Sequence, residues 1–292
     1  VTPRLVLALA VLTVPVAAQE VAVAPLPALA DLPAGVRSAG LAGIAVALPG
    51  DAAVVFDNPS AIGPIRRLSV EAAYARLPDD RWYTTAAAAV RQGRLSLGGG
   101  YRYLRFPDGA AQHDNLQWAA AVSGRVGGIH VGLAANYLAV EDSSGAVFRT
   151  LTEDAGLTVA FFDIAALALA FENLGRTPLT GARIELPSRT RLGFSLNLID
   201  TYSNGRLLAT VETIWTEDAD HRTIFGVEGG VVVRGVGLVA RIGHGGQVPD
   251  RDIGKTSYGG SVVLGLARLD YAYQPRSALG RGVHLFGVHW TP

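Results

Sequence analysis

The 292-residue chain contains no cysteine and no methionine. The lack of cysteine excludes disulfides, thiolate metal sites and cysteine nucleophiles. It also suits passage through an oxidising periplasm. Charge is scarce, at 17% of residues against about 25% in an average soluble domain. The 25 basic and 25 acidic residues cancel, which argues against a nucleic-acid partner, since that would demand a basic surface. Long apolar runs are missing too. Hydrophobic residues make up 49% of the chain, yet beyond the first twenty or so residues no segment reaches the ~18 uncharged residues of a transmembrane helix. Ser38–Gly50 stands out, but it is too short, and Gly40, Gly43 and Pro49 interrupt it. A chain so apolar must therefore distribute its apolar residues finely, and alternation along β-strands does so.

What is present begins with a processing signature. Arg4 supplies a positive start, Leu5–Val14 an apolar stretch, and Val16-Ala17-Ala18 a small-residue cleavage site. Residues 1–18 read as a cleavable signal peptide, too short for a spanning anchor helix, with Val1 as an initiator from an alternative start codon. No cysteine follows the site, so a lipoprotein is excluded. Residues 19–63 carry Pro25, Pro27, Pro33, Pro49 and Pro59, which break any long strand. They read as an irregular or short-helical segment.

From Arg66 the pattern changes to alternation. In Leu192–Leu198 one face is Leu, Phe, Leu, Leu and the other Gly, Ser, Asn, continuing back to Arg191. Ile129–Tyr137, Leu207–Trp215, Val236–Ile242 and Leu269–Tyr273 behave alike. Turn signals divide residues 64–292 into fourteen segments: 66–77, 81–91, 94–105, 114–124, 127–140, 150–162, 163–173, 188–200, 206–216, 222–233, 235–244, 256–267, 268–275 and 281–291. Each is near or above the ~9–11 residues a tilted strand needs to cross a bilayer. Tight connections (Gln92-Gly93, Gly124–Val126, Phe162-Asp163, Tyr202–Gly205, Arg234-Gly235, Ala267-Arg268) alternate with longer ones such as Phe106–His113, Asn173–Pro187 and His244–Lys255. That parity predicts an all-β transmembrane antiparallel barrel of about fourteen strands, with both mature termini periplasmic. Aromatics including Trp82, Tyr83, Trp118 and Trp215 gather at the long-loop ends, with Phe161, Phe286 and Trp290 near the other rim, as interfacial girdles require. A soluble β-sandwich is the alternative. Against it, the polar faces are rich in Gly, Ala and Ser, which suit a crowded lumen better than open water.

The phase places Glu71, Arg102, Glu172, Arg191, Glu212, Glu228, Arg241, Arg268 and Asp270 on the inner face. A lumenal charge avoids lipid and can meet an opposite charge. Such charges either guide a ligand or ion, or form structural pairs that hold an internal segment. Buried charges are normally paired, which favours the second. His130 and His244 also read as inward, and His284 and His289 as lying on opposite faces. The six histidines show no metal-ligand spacing, so neither a metal nor a cofactor is expected. No Gly-x-Ser-x-Gly elbow is present, and an enzyme is not expected. Gly98-Gly99-Gly100 lies mid-strand, where glycine allows close approach and does not form a phosphate loop.

Gly40-Leu41-Ala42-Gly43, Gly50-Asp51-Ala52 and Asp57-Asn58-Pro59-Ser60 resemble the N-terminal signature of the PorV/PorQ family of bacterial outer-membrane proteins, related to FadL-type fatty-acid transporters. Ser60 stands where that family usually has Ala. Phe171–Gly175, Leu186–Gly193, Leu269–Tyr273 and the closing strand from His284 add to the likeness, whereas the terminal Trp290-Thr291-Pro292 departs from a terminal aromatic. The resemblance implies a barrel at 64–292 with residues 19–63 folded inside as a hatch. It makes Gly40, Gly43, Asp51, Asn58 and Pro59 shaping or gating residues of that hatch. It also implies integral residence in the outer membrane among its lipids. The expected role is in type IX-like protein secretion or surface attachment, with secretion-system proteins or cargo as partners. The alternative is FadL-like transport of long-chain fatty acids or other hydrophobic small molecules. That alternative predicts an apolar pocket beside the hatch and a lateral opening at a strand kink.

Overall fold

A computed structural model describes residues 22–24, 28–77, 80–107, 112–142, 145–162, 164–180, 182–184, 186–199, 205–217, 219, 221–246, 255–275 and 282–292. The signal-peptide segment 1–18 lies outside them. After β1 (Ala22–Ala24) and the short helix α1 (Val36–Gly40) come β2 (Leu68–Arg76), β3 (Trp82–Gln92), β4 (Leu95–Arg105), β5 (Gln112–Val126), β6 (Ile129–Asp142), β7 (Val147–Phe161) and β8 (Ala165–Pro178). There follow β9 (Ala182–Ile184), β10 (Arg189–Ile199), β11 (Gly205–Thr216), β12 (Arg222–Val233), β13 (Val236–Gly245), β14 (Thr256–Leu264), β15 (Ala267–Gln274) and β16 (Val283–Trp290). Strands β2–β8 and β10–β16 form a closed fourteen-stranded barrel, every pairing antiparallel. The seam joins β16 to β2, with Trp290 opposite Val70. No helix among the described residues is long and apolar enough to cross a membrane.

Alternation builds the wall. Leu95, Leu97, Val131, Leu133 and Leu269 point outward and are exposed, as a bilayer-facing surface requires. The short turns are made by residues with left-handed backbone. Arg234 (φ 52°) and Gly235 (φ 82°) are both positive, the type I′ geometry that matches strand twist. Gly127 and Gly265, each with φ 60°, correct two predicted turns. Strand β5 runs on through Val126, paired with Ile129, and the last short turn is Gly265-Leu266, leaving Ala267 and Arg268 inside β15.

Residues 28–65 occupy the lumen as α1 and three 3₁₀ turns, Ala28–Asp31, Ala52–Phe56 and Pro59–Ile62. Val55, Phe56, Ile62 and Ile65 pack on the inward alanines Ala87, Ala89, Ala119, Ala121 and Ala134. Nearer the long connections, Leu29, Leu32 and Val36 share a cluster with Leu104 and Leu138. Backbone meets backbone where the wall lacks a side chain: a Cβ on Gly40 would lie 3.0 Å from Gly259 Cα. The segment runs the height of the barrel, from Leu29 beside Arg102 to Gly63 beside His130 and Ser123. β1 pairs in parallel with β9 in the β8–β10 connection. Residues 22–24 thus lie at the long-connection end, not at the periplasmic end as parity predicted, because the chain must enter β2 from the short-turn end.

Three placements differ from expectation. Tyr83 is buried and faces inward, donating to the Pro33 carbonyl at 3.0 Å. Phe286 packs against Tyr271 (5.3 Å between ring centroids), away from the short-turn rim. His244 faces outward and is exposed, with Nδ1 2.7 Å from Thr256 Oγ1. Arg241 is inward and His244 is three residues on, so alternation puts it outside.

Candidate functional site: a charged lumen around the hatch

Three arginines and three carboxylates close a circuit. Arg37 pairs with Glu228 (2.8 Å), Glu228 with Arg241 (2.6 Å) and Arg241 with Asp270 (3.2 Å). Asp270 then pairs with Arg268 (2.7 Å), Arg268 with Asp51 (3.1 Å) and Asp51 with Arg37 (3.5 Å). Two members belong to the hatch and four to the wall, so the circuit ties one to the other. Charges out of water need such saturation, because an unpaired one is costly. Arg37 was not singled out in the sequence. It is the sole basic residue of the segment 19–63, which is the signal that could have found it.

Asp51 lies in the hatch, outside the strands. Burial alone would push its carboxyl up, but Arg268 and Arg37 outweigh it and hold the group well below the usual carboxylate range. A depressed carboxyl contributes stability that is complete above its unfolded value, about 4, and is lost as pH falls through the lower folded value. Hydrogen-exchange protection of α1 is therefore expected to differ between the protein and Asp51→Asn by a constant margin from pH 7 to about 5. The two should converge only in more acid solution. A margin that vanishes near neutrality would mean Asp51 is not held ionised.

A second cluster centres on Arg191, which meets Glu212 (Nε–Oε1 2.8 Å), Glu172 (2.9 Å) and hatch Asp57 (2.7 Å), and donates to the Gly43 carbonyl (2.9 Å). Glu212, 0% exposed, also accepts from Ala45 N (2.9 Å) and Val46 N (3.0 Å). Arg102 donates to the Leu29 carbonyl (2.6 Å) and to Tyr83 (3.1 Å), and lies over the Phe56 ring. Asn58 organises the lower hatch. Its Oδ1 accepts from Ser60 N (3.0 Å), capping the turn that Pro59 begins. Its Nδ2 donates to the Val46 carbonyl (2.8 Å). Gly43, at φ 98°, supplies the left-handed turn between α1 and that carbonyl. Of the nine lumenal charges selected from the sequence, all of which face inward, seven fall into these two ion clusters, and Arg102 stands apart on hatch carbonyls. Glu71 sits beside the circuit, 3.9 Å from Arg268.

Glu71, Asp51 and His289 also converge, with one ligand atom each within 4.8 Å of the others. Histidine spacing along the chain could not reveal this, because the three come from separate segments. Arg268, 3.1 Å from Asp51, already supplies positive charge there, and a metal ion would be repelled by it.

Above the hatch, toward the long connections, lies a cavity of about 140 Å³. Its walls mix Leu32, Leu138, Leu186 and Ile214 with Arg102, Asp154, Glu172 and Arg191. It is not the apolar pocket that the transport reading predicted, because the buried charges holding the hatch also line it. Beside it the β7–β8 ladder is irregular, with register shifts between Leu151 and Glu153 and between Glu153 and Ala155. Asn173 (φ 60°), Gly175 (φ 75°) and Arg176 (φ 36°) produce this bulge in β8. Asp154 fills part of the gap, accepting from Asn173 N at 2.8 Å.

No protein-family model matches the sequence, and no curated protein matches it. Solved structures do match. The Ralstonia pickettii toluene transporter TbuX is 11% identical over 87% of this chain and 97% of its own, with a TM-score of 0.59. The Pseudomonas putida toluene transporter TodX is 10% identical over 88% and 96%, with a TM-score of 0.58. A Pseudomonas aeruginosa FadL homologue is 12% identical over 87% and 97%, with a TM-score of 0.56. Identities this low establish the fold alone: a closed fourteen-stranded antiparallel barrel similar to those of these proteins. They bear on the FadL side of the sequence resemblance and lend nothing to the secretion side.

Proposed function

We propose that this chain is a non-enzymatic transporter that admits hydrophobic small molecules across the bacterial outer membrane. Residues 19–63 act as its hatch and 64–292 as its barrel. One observation carries the reading: the cavity above the hatch abuts the irregular β7–β8 pairing, where Glu172, Asn173 and Asp154 belong to both. On this reading a solute held there would leave sideways through the wall at the bulge, without displacing the ion-paired hatch. That the structurally similar TbuX and TodX are toluene transporters supports the same class of cargo. On this reading the lumenal charges hold the hatch and do not conduct ions.

The test is uptake by cells or vesicles carrying the barrel, with labelled toluene and a labelled sugar of similar size. Toluene entry should rise severalfold over empty controls while sugar entry does not. Equal entry of both would indicate an open water-filled pore, and entry of neither would remove the transport role.

A further inference from the structure

We infer that the short-turn rim of the barrel binds the phosphate headgroups of anionic phospholipid in the periplasmic leaflet, through arginines that have no counter-charge within the protein. Residence in the outer membrane is all this requires, and it does not depend on the transport reading.

The arginines come from the turns. Arg66 and Arg67 lead into β2, Arg91 and Arg94 flank the β3–β4 turn, Arg125 precedes the β5–β6 turn, and Arg234 lies in the β12–β13 turn. Arg66, Arg67, Arg94 and Arg234 are exposed, and Arg91 and Arg125 half-buried. Among the described residues, none of the six side chains has a hydrogen-bond or ion-pair partner. The short connections hold two acids, Asp163 and Asp200, between β7 and β8 and between β10 and β11. The other end differs. There Arg76 meets Asp80 at 2.6 Å and Arg176 meets Glu217 at 2.8 Å.

The ladder brings like charges together at this rim. The Arg91 amide donates to the Arg67 carbonyl (2.8 Å), and the Arg125 amide to the Arg94 carbonyl (2.9 Å). Two pairs of arginines therefore stand abreast on neighbouring strands. Like charges side by side across a ladder repel, and an anion between them removes the repulsion. The planar fork of arginine matches phosphate oxygens.

Two features select lipid over a soluble acidic partner. Val90, Leu95, Val126 and Val233, each next in sequence to one of these arginines, are exposed on the outer wall. Each guanidinium thus begins one residue from the apolar band, and an arginine stem can lie along apolar surface while its head stays polar. Placement is the second feature, since β2–β5 and β12–β13 stand on opposed walls of the barrel. A single docked segment needs a contiguous patch, whereas lipid surrounds the whole rim. Short connections face the periplasm in bacterial barrels, which sets this rim in the periplasmic leaflet.

The folded full barrel in mild detergent is offered equal phosphatidylglycerol and phosphatidylcholine with matched acyl chains, and the retained lipids are counted by native mass spectrometry. Phosphatidylglycerol should exceed phosphatidylcholine by about five-fold or more. The quadruple variant Arg67→Gln, Arg91→Gln, Arg94→Gln, Arg125→Gln should lose most of that preference. Arg105→Gln with Arg149→Gln, exposed toward the other end, should keep it. Excess inorganic phosphate or an oligoglutamate peptide should displace little of the bound lipid. Full displacement by either assigns the rim to a soluble anion and overturns the inference. Equal retention of the two lipids by the unmodified protein overturns it, as does a preference that survives the quadruple variant. The ranking in the unmodified protein decides the matter even if the variant does not fold.

Discussion

Replacing Arg191 with leucine should release the upper hatch and cost on the order of 3–5 kcal/mol. Three carboxylates converge on this one guanidinium: Glu212, Glu172 and Asp57. All are away from bulk water, so removing the cation leaves them facing one another without compensation. The Gly43 carbonyl loses its donor at the same time. Leucine fills the volume, which separates the electrostatic loss from a packing loss. Protease sensitivity of residues 28–65 and urea unfolding in detergent are the readouts. The double change Arg191→Leu with Glu212→Leu should recover part of the loss, since replacing a buried pair by apolar groups is often tolerated. Recovery would be incomplete, because the Ala45 and Val46 amides would lose their acceptor. If Arg191→Leu unfolds and resists protease as the parent does, the cluster does not hold the hatch.

How much of this was readable beforehand follows from range. Alternation is local, and it gave all fourteen strands and the inward side of Glu212, Arg241 and Asp270. The bilayer enforces that alternation on every strand, so a short window suffices. Turn positions slipped near Gly127 and Gly265 because several small residues cluster there and backbone sign, not composition, chooses among them. His244 was misplaced because Gly243 and Gly245 flank it. Neither neighbour marks a face, and the residue's polarity suggested the lumen while the count from Arg241 put it outside. The ion circuit was invisible for a different reason. Arg37 and Glu228 are 191 positions apart, and nothing local couples them. The route of the hatch was equally hidden, since Pro and Gly say where a strand cannot form but not which way the chain threads.

The small residues of the inner wall suggest the second large effect. Gly132→Val is expected to dislodge the lower hatch and raise conductance sharply, while leaving the barrel closed. Valine suits a strand better than glycine does, so β6 itself should gain. A Cβ there, however, would overlap the backbone of Pro59 and Ser60, and backbone cannot rotate away as a side chain can. Overpacking of this kind costs about 1–3 kcal/mol where neighbours can give, and more where they are pinned. Here they are pinned: Asn58 caps this turn and Ser60 Oγ lies 2.7 Å from Thr158 Oγ1. Gly99→Ala is the control, since Gly99 faces outward and its added Cβ would meet only the Ala119 carbonyl at an ordinary 3.5 Å. Planar-bilayer recordings should show a quiet parent, a quiet Gly99→Ala and a conducting Gly132→Val, with all three migrating as folded barrels without heating. Equal conductance in the two variants would mean that the hatch yields without leaving the lumen, and that close packing at Gly132 does not seal it.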